Sequence, residues 1–156
     1  MTDTEKTIEM IEKQERELVF DKFDFEDAYA LGTLLYRRAK EQNLALAMDI
    51  TRGGQQMFHA VLPGTSPDND QWILRKCRLV NRMHKSSFLI GNTLKASGKS
   101  LEEQFLISSL EYAAHGGAFP LTVKGCGVIG TIAVSGLPQE EDHRFVTSVI
   151  AEYLGK

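Results

Sequence analysis

Long hydrophobic runs are missing from this chain. No window approaches about 18 consecutive apolar residues, the least that a membrane-spanning helix needs, so no membrane span is expected. Cysteine is scarce: Cys77 and Cys126 are the only two. They are too few for a disulfide framework and too isolated for a zinc site. No sign of charge dominates either. Eighteen Lys and Arg stand against 21 Asp and Glu, a net −3, which argues against a nucleic-acid partner because such binding depends on neutralising phosphates. The opening stretch MTDTEKTIEMIEKQERE is charged and has no apolar stretch of the secretory kind. These absences together predict a cytoplasmic, thiol-reduced protein. The patterns GxSxG, GxxxxGKS/T, HExxH and CxxC do not occur, which removes the sequence marks of α/β-hydrolases, P-loop enzymes and common zinc enzymes.

What is present is ordinary globular material: 156 residues, 42% hydrophobic and 25% charged. A chain of this length buries enough surface to fold without a metal or disulfide. One domain over residues 1–156 is expected, with an amphipathic helix in 1–20 at its periphery. The charge is unevenly laid out. Residues 1–27 hold ten acids and four bases, whereas residues 71–99 hold seven bases and no acid. The basic stretch suits an anion or an acidic neighbour in an oligomer.

Capping and periodicity give the order of elements. Thr2 and Glu5 have capping-box spacing before a helix over 4–17, with Ile8 and Ile11 on one face. So few apolar residues cannot hold a lone helix, so it must pack on the domain or on another subunit. Asp24 caps a helix over 25–42 with Ala28, Leu31, Leu35 and Ala39 at helical spacing. LALAMDI, residues 44–50, alternates bulky and small side chains and reads as a strand; Gly53-Gly54 then turns it into QMFHAVL. TSPDND reads as a loop. Residues 70–97 are helical, with a bend or break at Ser86-Ser87 and a C-cap at Gly98. One or two short helical turns are expected in 101–115, then a sharp HGGAFP loop and the strands PLTV and VIGTIAVS. The last helix starts at Leu137-Pro138, with Val146, Val149, Ile150 and Tyr153 as its buried stripe. The order α-α-β-β-α-β-β-α points to an α+β fold: an antiparallel sheet covered by helices.

The candidate chemistry rests on histidine and arginine. His59 reads as a hydrogen-bonded strand side chain. His84 lies beside both the apolar stripe and the basic face, so packing and ligand binding stay open. His115 precedes Gly116-Gly117, where bare backbone admits a ligand; a helix C-terminus with glycine just beyond it explains the same residues. His143, in the first turns of the last helix, admits a structural or a functional role. Arg75, Arg78, Arg82 and Lys85 form a basic helix face. It is either simply solvated or a cradle for carboxylates and phosphates, which Arg grips with two donors.

The segments DITRGGQQMFHAVLPGTSPDND, WILRKCRLVNRMHKSS, EYAAHGGAFPL and GTIAVSGLPQEEDH resemble the GlcG/HbpS-like proteins, often labelled haem-degrading. The resemblance spans roughly 8–154 and is nearest to a small cytosolic branch without a characterised activity. It implies a profilin-like three-layer α/β/α fold with an antiparallel sheet of about five strands. It also implies a homo-oligomer (octamer, pentamer or decamer) and, in some members, haem as cofactor. A eukaryotic relative in the branch is linked to delivery of tail-anchored membrane proteins. The expected ligand-binding set is Arg52, Trp72, Arg75, His84, His115, Gly116, Gly117, Phe119 and His143. For haem, His115 or His84 would be the axial ligand, Phe119 and Trp72 would wall the slot, and Arg75 or Arg52 would pair the propionates. A second reading is a non-catalytic oligomeric interaction protein. A third is an enzyme on a small anionic metabolite, which requires Arg52, Arg75, His84, His115 and His143 to meet in one cavity.

Overall fold

Alternation of large and small side chains sets the two faces of the sheet in the computed structural model, which describes residues 1–156. Strands β1 (Ala47–Arg52) and β2 (Gln55–Val61) make one hairpin; β3 (Ala118–Val123) and β4 (Gly127–Ser135) make another. The order is β2-β1-β4-β3, antiparallel throughout. The sheet has four strands where about five were expected. An isolated parallel bridge between Phe20 and Val123 takes the place of a further strand at the β3 edge. Gly53 and Gly54 both have positive φ, 59° and 81°, which a two-residue turn of type I′ demands.

Helices cover both faces, giving the three-layer α/β/α arrangement. On one face Met48, Ile50, Phe119, Leu121, Ile132 and Val134 enter a core of 21 buried residues. That core is shared with helices α2 (Phe25–Glu41) and α6 (Gln139–Leu154). Side chains of this size each contribute about 1.5–3 kcal/mol when fully buried. On the other face Ala47, Ala118 and Ala133 leave room for Ile73, Cys77 and Val80 of helix α3 (Pro67–Met83). The small face of the LALAMDI pattern is thus the seat of α3.

Several boundaries differ from the sequence reading. β1 begins at Ala47 rather than residue 44 and runs on to Arg52. The TSPDND segment is not all loop: α3 starts at Pro67, because Asn69 Oδ1 accepts the Ser66 N–H at 2.9 Å and proline suits the first helical turn. The helical stretch over 70–97 breaks as expected at Ser86-Ser87, into α3 and α4 (Ser87–Ser97). His84 ends α3 in the left-handed conformation, φ 57°, and the Ser86 hydroxyl caps α4 by accepting Leu89 N–H. A five-residue helix α5 (Leu101–Phe105) follows. Ala118 and Phe119 belong to β3, not to the HGGAFP loop.

Helix α1 (Asp3–Glu17) packs on α4 of its own chain. Its one buried residue, Ile11, meets Phe88 and Leu89. Glu15 Oε2 accepts the Ser86 N–H at 3.0 Å.

Candidate functional site

Trp72 and Lys76 follow Asp68 at steps of four along α3, so all three lie on one side of that helix. That side faces the start of α6 and the 115–117 turn across a cleft of about 260 Å³. The floor carries Lys76 and Asp142; the walls carry His115, Gly116, Ser135, Gln139 and Asn69. Trp72 and Leu137 are its only hydrophobic lining.

Lys76 organises this floor. Its side chain is 2% exposed, and Nζ donates to Gly116 O at 3.0 Å and Val134 O at 2.7 Å. Asp142 Oδ2 lies 3.5 Å away, on a side chain 4% exposed. Asp142 is held in turn by the Leu137 N–H, which donates to its Oδ1 at 3.0 Å. Burial opposes charge on both partners. It pushes the Asp142 carboxyl up to about 6 against the pull of Lys76, and it lowers the Lys76 ammonium against the pull of Asp142. The two carbonyls on Nζ favour the protonated amine. His115 sits on the rim, its ring edge-on to Trp72 at 5.3 Å between centroids. Burial, then the nearby charges of Lys76 and Arg75, lower its pKa, so it is a neutral imidazole at pH 7.

The turn itself needs glycine. Gly117 has φ 133°, and a Cβ there would lie 2.2 Å from Lys76 Nζ and 2.6 Å from Val134 O. A Cβ at Gly116 would lie 2.2 Å from Gln139 O. No helix ends at His115; the segment before it runs along α3, with Ala113 N–H donating to Arg75 O at 3.1 Å. The helix-cap explanation of H-G-G is therefore replaced by close packing.

The expected binding set separates. Trp72, His115 and Gly116 line the cleft. Arg75 stacks its guanidinium 4.2 Å from the Trp72 ring centre, beside the cleft. Gly117 lies beneath it, against Lys76. Arg52 is at the far end of β1, roughly 17 Å along the strand from Ala47, donating to Phe23 O and stacked over Phe25. His84 is exposed at the end of α3, two turns past Lys76 and roughly 12 Å along the axis. Phe119 is 1% exposed in the main core. His143 is also buried, its ring 4.7 Å from Phe88 and 6.1 Å from Phe119. The cavity that would join Arg52, Arg75, His84, His115 and His143 does not exist within the chain. The basic face is not a free cradle either. Arg75 and Arg78 donate to the carbonyls of Ser109 and Glu111, and the Arg82 guanidinium lies over the Tyr112 ring. These arginines fasten the 106–113 segment to α3.

Two residues that define the floor were not singled out from sequence. Lys76 counts there only as part of the basic stretch and of the WILRKCRLVNRMHKSS block, and Asp142 only as part of the GTIAVSGLPQEEDH block. Helical phase places Lys76 beside the apolar stripe of Ile73, Cys77 and Val80, but nothing in the sequence marks it as buried.

His143 ties α1 to α6: its Nε2 lies 2.7 Å from Gln14 Oε1, and its Nδ1 is buried without a partner. Burial pushes its pKa down to about 4. The unfolded ring takes up a proton below about pH 6.5 while the folded ring does not, so His143 stabilises the fold above that pH and loses this contribution as pH falls toward 4. The loss is about 3 kcal/mol. Asp142 runs the opposite way, because its raised pKa makes the folded state the better proton acceptor between about 6 and 4. Measured in a D142N background, stability is expected to fall from pH 7 to pH 4. NMR of the His143 ring is expected to show no titration above pH 5; a midpoint near 6.5 would show that the ring is solvated.

Comparison with known proteins places this arrangement. The sequence model for haem-degrading proteins of the HbpS-like type matches residues 23–151. A UPF0303 protein of Streptomyces coelicolor is 50% identical over 153 residues, covering 98% of this chain and 97% of its own. Among solved structures, the Ybr137w protein superposes with a TM-score of 0.89 at 33% identity, over 96% of this chain and 90% of that one. The PduOC:heme complex superposes at 0.69 with 19% identity, over 83% and 93%; this likeness is one of fold.

Proposed function

The chain belongs to the HbpS-like family of haem-degrading proteins, and from that premise we propose that it is a ligand-binding member whose cleft takes a small anion rather than haem. The observation that carries this is the lining. A haem needs an apolar slot for its macrocycle, an axial ligand and cations for its propionates. The cleft offers two hydrophobic residues, about 260 Å³ and a charged floor. Phe119 is committed to the core and Arg52 to Phe23 and Phe25, so one of the two expected slot walls and one of the two expected propionate partners are missing. His115, Trp72 and Arg75 remain at the cleft, but one aromatic wall and a charged floor do not make an apolar slot. A small anion finds the Lys76 ammonium in the floor and the Arg75 guanidinium beside the cleft.

Trp72 is the only tryptophan and lines the cleft, so it reports occupancy. Sodium acetate or phosphate added at pH 6 is expected to shift the Trp72 indole N–H resonance saturably. Haemin is expected to give no saturable Soret shift. A Soret shift that saturates and is lost in H115A would overturn this reading in favour of haem. The free thiols of Cys77 and Cys126 agree with a cytoplasmic setting.

A second reading, self-assembly, rests on Leu106 and Leu110, which are 87% and 86% exposed. Leu106 is also held at φ 59°, an unfavourable conformation for leucine. The arginine clamp presents both leucines on an ordered loop. Light scattering is expected to give an oligomer for the wild type and a smaller species for L106S/L110S; a monomeric wild type would remove this reading.

A further inference from the structure

We propose that the cleft binds a small carboxylate together with one proton, which Asp142 carries, so that ligand and side chain meet as a carboxyl–carboxylate pair beside Lys76. This rests on the small-anion reading above and goes on to name its ligand class and its coupling to pH.

The placement of donors requires it. Lys76 spends two of its three N–H bonds on Gly116 O and Val134 O. Its remaining N–H faces Asp142 Oδ2, which stands 3.5 Å from Nζ where the two side chains line the cleft floor. An anion that reaches Nζ must therefore lie against Oδ2. Two carboxylates at hydrogen-bond distance in a site shielded from water do not both stay ionised; one proton between them turns repulsion into a short O–H···O bond. The carboxyl is already oriented for this. Its Oδ1 is fixed by the Leu137 N–H at 3.0 Å, which leaves Oδ2 to carry the shared proton. Burial in the same place has already raised the pKa of Asp142 toward neutral. Charge balance agrees. With Asp142 ionised, Lys76 and Arg75 are matched by Asp142 and Asp68; with it protonated, the cleft gains one net positive charge.

The titratable groups facing Asp142 are few. Lys76 and Asp68 come from α3 and His115 from the turn, while β4 brings the neutral Ser135 and α6 the neutral Gln139. His143 follows Asp142 in sequence, but its ring is stacked on Phe88 and bonded to Gln14, away from the cleft lining. His115 is thus the other group able to supply a proton-linked cation near neutral pH.

Acetate is the probe, titrated into the full chain at pH 6, 7 and 8 and followed by the Trp72 indole N–H resonance. Where binding takes up one proton, affinity falls about tenfold per pH unit above the pKa of the carrier. The wild type is therefore expected to bind acetate about tenfold more weakly at pH 8 than at pH 7. H115Q should keep that slope. D142N, neutral at every pH, should lose it and bind more tightly than the wild type at pH 8. Affinity that does not change with pH in the wild type overturns the shared proton while leaving the small-anion site standing. A slope lost in H115Q and kept in D142N overturns it by moving the proton to His115. No saturable shift with acetate or phosphate at pH 6 overturns the small-anion reading itself. The wild-type and H115Q slopes decide the matter even if D142N folds poorly.

Discussion

Replacing Lys76 by methionine is expected to destabilise the fold by about 3–5 kcal/mol, the cost of removing one partner of a buried ion pair. Methionine keeps an unbranched apolar stem out to the position of the lysine Cε, so the stem's packing changes little. What is lost is the ammonium. Gly116 O and Val134 O each lose a charged donor, and Asp142 is left as a buried carboxyl without a counter-ion. For a chain of this size each kcal/mol moves the melting temperature by about 2–4 °C, so a fall of roughly 6–20 °C is expected. The double variant K76M/D142N should recover part of that loss, because Asn removes the orphaned charge while its side-chain oxygen still accepts the Leu137 N–H. Denaturant unfolding followed by circular dichroism measures both. A loss below about 1 kcal/mol in K76M would mean that the lysine is not holding the turn to β4.

Gly117→Ala is expected to cost a similar amount, about 3–5 kcal/mol, for a different reason. The backbone at φ 133° is one that L side chains rarely adopt, and the new methyl would lie within 2.6 Å of Val134 O and within 2.2 Å of Lys76 Nζ. Neither can yield freely. Val134 N–H donates to Gly117 O at 2.9 Å, which locks the two strands' approach, and Nζ is fixed by its carbonyls. The damage should therefore reach the cleft, weakening the response of Trp72 to acetate as well as lowering stability. Gly125→Ala is the control. Gly125 also has positive φ, 83°, but a Cβ there meets nothing within 4 Å, so only the backbone term of about 1–2 kcal/mol remains. Equal losses at the two positions would show that crowding at Gly117 is relieved by movement.

These two positions mark the divide between local and tertiary information. Capping boxes, the Gly53-Gly54 turn and the bulky-small alternation of β1 are local signals. They were enough to order the helices and strands, to split the long helical stretch near Ser86, and to assign an α+β fold. The resemblance added the layer arrangement and the family. Strand count was less legible, because the edge beside β3 is closed by a single bridge at Phe20 that carries no pattern of its own.

The site followed a different course. Trp72, His115 and Gly116 were legible as a site because they belong to distinctive blocks of sequence. Arg52, His84, Phe119 and His143 share those blocks and lie elsewhere. A residue's neighbours along the chain say which element it sits on, but its phase and the packing of the next layer decide what it faces. Phe119 falls on the core side of β3, and His143 is covered when α1 brings Gln14 and Ile11 down onto α4 and α6. The buried charge was the least legible of all. A lysine on a basic helix reads as solvated, since exposure is what lysine has by default. Only the meeting of α3, the 115–117 turn, the end of β4 and the start of α6 supplies the carbonyls and the carboxyl that let Lys76 be buried. Sequence alone determined the elements and their order, because those depend on contacts a few residues apart, and the family, because whole blocks of sequence carry it. The tertiary structure alone decided the cleft, because the groups that form it are brought together across 74 positions of the chain, from Asp68 to Asp142.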